Sequence, residues 1–215
     1  MRHHYHVGIL LFDYVDALDF AGPYEVFNLT TYTNEDVHKL FANKLTEKPF
    51  TVSTVSHKGE QITVHNGLQV IPNYSFSNAP EFDIIVIPGG PLKALKEVGK
   101  NVEIINWIES HKEKTVVSVC TGAFFLAQAG LLNGKKATTN RVALGLLEKS
   151  YPKIDVIRNV KFVDEETIIT SAGISAGIQM SIHVVNKLFG EEAAKRTIHT
   201  IELDYDPFDD KNLMT

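Results

Sequence analysis

Five runs of apolar and β-branched residues recur along the chain, and glycine, proline or polar turn residues bound each of them. Most of these runs are apolar throughout, whereas a strand with one face in water would alternate between apolar and polar positions. Continuous apolar runs are typical of parallel strands that helices cover on both faces. The predicted strands are HVGILLFD (6–13), FTVSTVS (50–56), FDIIVIP (82–88), TVVSVC (115–120) and ETIITSAG (166–173).

Segments with helical periodicity separate these strands. Because strand and helix patterns alternate, the sequence predicts right-handed βαβ crossovers and an α/β fold, a three-layer sandwich with a mostly parallel central sheet. A length of 215 residues fits a single domain over residues 1–215. The predicted helices cover 19–29, 91–112, 121–131, 141–149, 174–189 and 191–201.

Two segments depart from this alternation. The stretch EQITVHNGLQVIPN (60–73) predicts a small hairpin, in which His65, Asn66 and Gly67 supply a tight turn. The polar stretch 30–49 has no clean periodicity, so we expect a loop or a poorly packed helix there.

The net charge of the chain indicates which classes of binding partner are unsuitable. The chain has 21 Lys and Arg against 26 Asp and Glu, a net charge of -5, and no block of basic residues. Such a surface does not attract phosphates or anionic lipid head groups, which argues against nucleic acid and membrane surfaces as partners.

No stretch reaches the roughly 18 apolar residues of a membrane span. The start of the chain reads as a first core strand and not as a signal peptide, because its apolar run ends in aspartates. A lone cysteine cannot form an internal disulfide, so we expect a reducing, cytoplasmic location.

The single cysteine, Cys120, stands at the end of a predicted strand, directly before a helical segment. This position predicts a sharp nucleophile-elbow turn with the sulfur near the unpaired amides of a helix N-terminus. That environment lowers a thiol pKa, and the amides of Thr121 or Gly122, with Gly89 or Gly90, are candidates to receive a developing negative charge. The alternative, a small buried core residue, stays open at this point.

Acidic residues follow the first predicted strand. An aspartate before a helix is commonly an N-cap, and this is the interpretation for Asp13 and Asp16. Asp19 differs because a leucine and a phenylalanine flank it, which would hold its carboxyl partly out of water and raise its pKa. Asp19 is therefore a candidate proton carrier, with the helix cap as the competing interpretation.

The histidines and the glycine-rich loops give weaker evidence. His3, His4 and His6 lie near the chain start, where solvated side chains are expected, and His183 lies in an apolar helix as a packing residue. No Cys/His spacing is typical of zinc, so the sequence predicts no metal. The loops PGGP and GISAG lack the spacing of phosphate- or dinucleotide-binding loops, so it predicts no cofactor either.

Five segments taken together resemble the ThiJ/PfpI superfamily, which is related to class I glutamine amidotransferases. The resemblance implies a flavodoxin-like sandwich whose elbow cysteine carries a reactive thiol, paired with an acid from the loop after the first strand. By motif position these residues are Cys120 and Asp19. The segments are GILLFDYVDALDFAGPYEVF, FDIIVIPGG, VSVCTGAFFLAQAGLLNGKKATTN, IITSAGISAGIQMSIHVV and IELDYDP.

Details of the motifs indicate a branch of this superfamily. The protease-like branch has histidine directly after the nucleophile, whereas Thr121 stands there in this chain. The segments LDFAGPYEVF and CTGAF and the terminal YDP resemble the isonitrile hydratase branch and the ligand-binding domains of related transcriptional regulators. Asn140 departs from the pattern, since many relatives carry histidine there.

The resemblance implies a reaction for this site. In the hydratases a cysteine thiolate attacks the terminal carbon of an isonitrile to give a thioimidate, and water then releases an N-substituted formamide. It implies Cys120 as the nucleophile, Asp19 as the acid and base, and the backbone amides of Gly90 and Thr121 as the groups that hold developing charge. The expected pocket residues are Gly89, Gly173 and Ser175.

Two other functions stay open on the sequence. A cofactor-free glyoxalase or small-carbonyl hydrolase would use the same cysteine, and a non-catalytic ligand-sensing or redox-sensing module would use an accessible thiol. All of these interpretations expect a small-molecule ligand, and relatives of this kind imply a homodimer.

Overall fold

The computed structural model describes residues 2–204, and strands form where β-branched apolar residues are concentrated. All five predicted runs contain a strand, although most strands are shorter than their runs. In chain order the strands are β1 (Tyr5–Leu10), β2 (Phe50–Ser56), β3 (Ile62–Thr63), β4 (Gln69–Val70), β5 (Tyr74–Ser75), β6 (Ile84–Ile87), β7 (Thr115–Ser118), β8 (Lys136–Ala137), β9 (Asp155–Val156), β10 (Phe162–Glu165) and β11 (Ile168–Ser171).

Seven strands form the central sheet, in the spatial order β10-β11-β7-β6-β1-β2-β5. Every neighbouring pair in it is parallel except β10 and β11, which pair antiparallel at one edge. All residues of β6 and β11 are buried, as expected for strands covered on both faces. The predicted mostly parallel α/β sheet is confirmed.

Helices lie in two groups that pack within themselves. One group contains α1, α7 and α8, and the other contains α3, α4 and α5, so the sheet is the middle layer of a sandwich. The helices are α1 (Ala17–Leu29), α2 (Asn34–Phe41), α3 (Leu92–Lys100), α4 (Val102–Ser110), α5 (Ala123–Gln128), α6 (Leu144–Ser150), α7 (Ala176–Phe189) and α8 (Glu191–Thr200), with short 3-10 turns at Cys120–Gly122 and Arg141–Ala143.

The prediction of one helix over 91–112 is wrong. Asn101 ends α3 with an extended backbone and begins α4, where its side-chain oxygen accepts hydrogen bonds from the amides of Glu103 and Ile104. An asparagine side chain that bonds backbone amides competes with a continuous helix. Helix α1 begins at Ala17 and not at Asp19, and it contains Pro23.

The other two local predictions are confirmed. The stretch 30–49 contains the short helix α2, capped by Thr33, in which Asp36 alone is buried. The hairpin pairs β3 with β4, and Gly67 adopts a φ of 90° in its turn. The terminal Tyr205-Asp206-Pro207 of the motif IELDYDP lies outside the described residues.

The parallel strands place one set of loops at one edge of the sheet. Strands β1, β6 and β7 are neighbours, and the segments that follow their carboxyl ends place Asp19 in the first turn of α1, Gly89 in a loop and Cys120 in a 3-10 turn. Ligand sites of open parallel sheets lie beyond the carboxyl ends of the strands. Within residues 2–204, no helix is long and apolar enough to cross a membrane.

Candidate active site

Cys120 lies on a sharp turn between β7 and α5. Its φ is 91°, a left-handed value that non-glycine residues adopt at a cost of about 1–3 kcal/mol. The 3-10 turn Cys120–Gly122 begins there, and α5 follows at once. The predicted nucleophile elbow is therefore present in the backbone, and a strained cysteine at such a place is typical of a functional site.

Close backbone packing under the elbow needs glycine. A Cβ on Gly122 would lie 2.1 Å from the carbonyl oxygen of Ile87, and one on Gly89 would lie 2.6 Å from the amide nitrogen of Thr121. The two glycines therefore let the loop after β6 lie directly against the elbow. This contact fixes the position of Cys120 relative to the carboxyl ends of the strands.

Asp19 reaches the same place from helix α1. It is the third residue of the helix, not its cap, and its side chain is completely buried. Oδ2 accepts a 2.9 Å hydrogen bond from the amide of Gly89. Oδ1 is buried without a partner of ordinary hydrogen-bond geometry among the described residues, yet the Cys120 thiol is near enough to lower the carboxyl pKa as a hydrogen-bond partner. The competing interpretation of Asp19 as an N-cap is wrong.

The acid and the thiol both hold their protons more tightly than usual. Burial raises the pKa of Asp19 to about 7, and the charge of Asp16 adds to this rise, while the Gly89 amide and the thiol oppose it. Burial also raises the pKa of Cys120 to about 12, with the negative charge of Asp19 as the second cause. At neutral pH the pair therefore carries at most one negative charge, which resides on the carboxyl.

The expectation of a lowered thiol pKa is thus wrong. Only 2% of Cys120 is exposed, and the helix that follows it has just six residues, so the loss of solvation exceeds the effect of the helix amides. A base would have to remove the proton before the sulfur could act as a nucleophile, and Asp19 is the neighbouring titratable group.

Three neutral donors face the sulfur. The backbone amide of Ile174, the side chain of Asn140 and the backbone amide of Thr121 each lower the pKa of Cys120 through hydrogen bonds. Nδ2 of Asn140 lies 3.6 Å from Sγ. The Thr139 hydroxyl donates to the carbonyl oxygen of Cys120, which further ties this segment to the elbow.

Of the two predicted oxyanion amides, Thr121 contacts the sulfur and Gly90 is already engaged. The Gly90 amide donates to Oγ1 of Thr121 at 2.8 Å, and that hydroxyl donates to the Gly90 carbonyl at 2.6 Å. In this conformation the Gly90 amide has no free hydrogen for a substrate. Gly89 donates its amide to Asp19, and the pocket roles of Gly89, Gly173 and exposed Ser175, which precedes α7, stay predictions.

Asp13 and His183 have structural partners outside the candidate site. Asp13 is not a helix cap, because its Oδ1 accepts from the amide of Thr63 in the hairpin. Asp16 holds the cap position of α1 without a side-chain cap bond, and burial raises its pKa. A 2.7 Å hydrogen bond joins Nε2 of His183 to Oδ2 of Asp164 in β10, which agrees with the packing interpretation.

His3 and His4 are exposed, as expected at the chain start, although the His4 ring also bonds the Lys48 carbonyl and the Thr51 hydroxyl. Across residues 2–204, no group of three or more His, Cys, Asp or Glu side chains is arranged to hold a metal ion.

Sequence reasoning missed Ile174 as a group of the site. Its contribution is a backbone amide, so the isoleucine side chain gives no indication of it. The available indication was positional, since the loop SAGIS follows strand β11, which lies next to β7. In the sequence Asn140 stands out only as a departure from the family pattern, because its contact with the sulfur depends on the path of the chain after β8.

Comparison with known proteins agrees with this site and fold. A protein-family model described as the DJ-1/PfpI family matches residues 5–187. The isonitrile hydratase of Pseudomonas putida is 32% identical over 203 residues, which cover 94% of this chain and 78% of the relative.

A second relative is the HTH-type transcriptional regulator GbdR of Pseudomonas aeruginosa, 25% identical over 86% of this chain; the match spans only 47% of the regulator. Among solved structures, a ThiJ/PfpI family protein from Pseudomonas syringae superposes with a TM-score of 0.78 at 22% identity, covering 96% of this chain and 78% of that one. The predicted flavodoxin-like sandwich and the ThiJ/PfpI resemblance are both confirmed. The chain belongs to the DJ-1/PfpI family.

Proposed function

We propose that this chain is a cysteine-dependent hydratase that adds water to an isonitrile to give an N-substituted formamide. The observation that carries the proposal is the buried pair of Asp19 and Cys120, in which a carboxyl with a pKa of about 7 adjoins a strained elbow thiol. The similarity to an isonitrile hydratase supports the choice of substrate class. An acid with a pKa near neutrality is suited both to take and to return a proton.

The first step joins the thiol to the isonitrile. Asp19 takes the proton of Cys120 as the sulfur attacks the terminal carbon of R–N≡C, and a new S–C bond forms. The same proton passes from Asp19 to that carbon, which gives the neutral thioimidate R–N=CH–S. No charge remains on the enzyme beyond the carboxylate with which the step began.

The second step uses one water molecule. Its oxygen attacks the thioimidate carbon, one water proton passes to the nitrogen, and a tetrahedral R–NH–CH(OH)–S adduct results. The C–S bond then breaks, the hydroxyl proton passes through Asp19 to the sulfur, and R–NH–CHO leaves. The amides of Thr121 and Ile174 support the sulfur as it takes negative charge in both steps.

Threonine in place of histidine at position 121 favours this chemistry over peptide hydrolysis. Thr121 follows the nucleophile, and its hydroxyl is held between the amide and the carbonyl of Gly90. A threonine in that position cannot serve as the titrating base that a histidine would provide. An isonitrile needs no leaving-group amine to be protonated, so a single carboxyl suffices for the proton transfers.

The experiment is a substrate comparison with purified protein. An alkyl isonitrile, methylglyoxal and a peptide amide are supplied separately, and the products are identified by mass. Formation of the formamide, abolished in Cys120→Ser, supports the proposal. Turnover of methylglyoxal alone would replace it with the small-carbonyl function, and binding without turnover would replace it with a sensing function. The homodimer and the cytoplasmic location stay predictions.

A further inference from the structure

Asn140 contacts the sulfur of Cys120 from the segment between β8 and the 3-10 turn Arg141–Ala143, outside both the elbow and helix α1. Its Nδ2 lies 3.6 Å from Sγ of Cys120, and its Oδ1 accepts a 3.1 Å hydrogen bond from the amide of Val142. The second bond sets the direction of the side-chain amide, because Oδ1 must face a donor. Nδ2, which carries two hydrogens and no acceptor, is then the end that faces the sulfur.

Gly173 leaves the space that this arrangement requires. A Cβ at position 173 would lie 2.9 Å from Nδ2 of Asn140, closer than such atoms approach in proteins. The φ of Gly173 is not left-handed, so glycine is not needed for the backbone conformation. The absence of a side chain here is explained by the neighbouring amide and not by the turn.

We propose that Asn140 is a positioning residue that holds the Cys120 sulfur and stabilises the anion formed on it, and that Gly173 keeps the place of its amide open. The donor is neutral and does not titrate, so it favours negative charge on sulfur without adding a charge or a second proton carrier. Asp19 then remains the group that exchanges protons with the sulfur. The effect on turnover rests on the proposed function, whereas the effect on the thiol does not.

Two variants separate this role from helix capping, because Asn140 also caps the 3-10 turn Arg141–Ala143. Asn140→Ser keeps a good capping side chain but is too short to reach the sulfur, and Asn140→Ala removes both functions. The matched control is Asn101→Ser, because Asn101 caps α4 in the same way and is not among the groups that act on the sulfur.

The measurement is the rate of iodoacetamide alkylation of Cys120 across pH, together with the thermal midpoint. We expect both variants at position 140 to be alkylated about tenfold more slowly, since they lose a hydrogen bond to the anion. Gly173→Ala should give the same shift, and combining it with Asn140→Ser should add little, because both changes remove one contact. Asn101→Ser should leave the alkylation profile unchanged.

Other outcomes overturn the inference. Wild-type alkylation in Asn140→Ser, with a loss only in Asn140→Ala, would reduce Asn140 to a helix cap. If Gly173→Ala and Asn140→Ser slowed alkylation additively, Gly173 would act on the thiol independently of Asn140. If the wild-type protein fails to hydrate isonitriles while these alkylation shifts appear, the proposed function fails and the role of Asn140 stands.

Discussion

The Gly89 amide donates a 2.9 Å hydrogen bond to Oδ2 of Asp19, and this bond joins the loop after β6 to helix α1. As a result, the two oxygens of the carboxyl have different surroundings. Oδ2 is held by the backbone, while Oδ1 is left beside the thiol without an ordinary partner among the described residues. A carboxyl fixed at one oxygen is positioned to exchange a proton at the other.

Asp19→Asn should abolish turnover while the fold survives. Asparagine keeps an oxygen that can accept from Gly89, but it cannot take or give a proton. We expect kcat to fall on the order of 10²-fold or more. Asp13→Asn is the matched control, because Asp13 also accepts from one backbone amide, that of Thr63 in the hairpin. Steady-state kinetics on both variants decide the matter, and full activity in Asp19→Asn would remove Asp19 from the mechanism.

Asp19 should also make the protein less stable as the pH rises. Its pKa is about 7 in the folded protein against 3.8 for an ordinary aspartate, so the unfolded chain loses this proton first. Stability from this group is therefore complete below about pH 4 and declines up to about pH 7, by at most about 4 kcal/mol. Asp19→Asn should raise the thermal midpoint at alkaline pH by several degrees and change it little in acid. An equal midpoint at alkaline pH would contradict the raised pKa.

Much of the fold could be predicted from the sequence because the central strands are covered on both faces. Strand β6 then consists of apolar residues throughout, and β7 has two buried valines at its centre, so both can be recognised without tertiary information. The two-residue strands β8 and β9 could not be predicted, since so short a pairing leaves no pattern. The periodicity of 91–112 predicts one helix. The break at Asn101 depends on hydrogen bonds that its side chain accepts from backbone amides, and the periodicity does not indicate these bonds.

The candidate site could be predicted in part from the sequence. Their places after strands of a parallel sheet made Cys120 and Asp19 candidates, and only the resemblance to the ThiJ/PfpI superfamily implied that they form a pair. The protonation state of the thiol could not be predicted, because it depends on how deeply segments distant in the sequence bury the sulfur. The contacts of Asn140 and Ile174 with the sulfur likewise arise from chain paths that local patterns do not encode.

Cys120 should react slowly with iodoacetamide at neutral pH. Burial raises the pKa of its thiol to about 12, so little thiolate is present, and the native protein should be alkylated more slowly than free cysteine. Asp19→Asn removes the second cause of that rise and should therefore speed alkylation even as it abolishes turnover. Mass spectrometry of timed samples measures both rates. Labelling of the wild type faster than free cysteine would mean that the thiolate is the resting form.

The pH dependence of kcat/KM should report the ionisation of Asp19. The attack needs the carboxylate form as base, so kcat/KM should fall about tenfold for each pH unit below about 7 and level off above it. Because the thiol pKa lies near 12, no second limb is expected in the neutral range. Initial rates in buffers of constant ionic strength give this profile. A limb with a midpoint near the ordinary aspartate value of 3.8 would show that Asp19 is solvated when substrate arrives.

Gly122→Ala should destabilise the elbow, whereas Gly145→Ala should not. A methyl group at position 122 meets the Ile87 carbonyl at 2.1 Å, and a backbone oxygen held in the sheet cannot move as a side-chain end would. The loss should be about 1–3 kcal/mol or more, with weaker turnover because Cys120 is displaced. Position 145 lies in helix α6 with no atom within 4 Å of a new Cβ, so alanine there should add up to about 1 kcal/mol of stability. Urea unfolding of the two variants compares them directly, since both make the same chemical change. Equal stabilities would mean that the loop after β6 yields to the methyl group, and the close packing of elbow and loop would then not be what fixes the nucleophile.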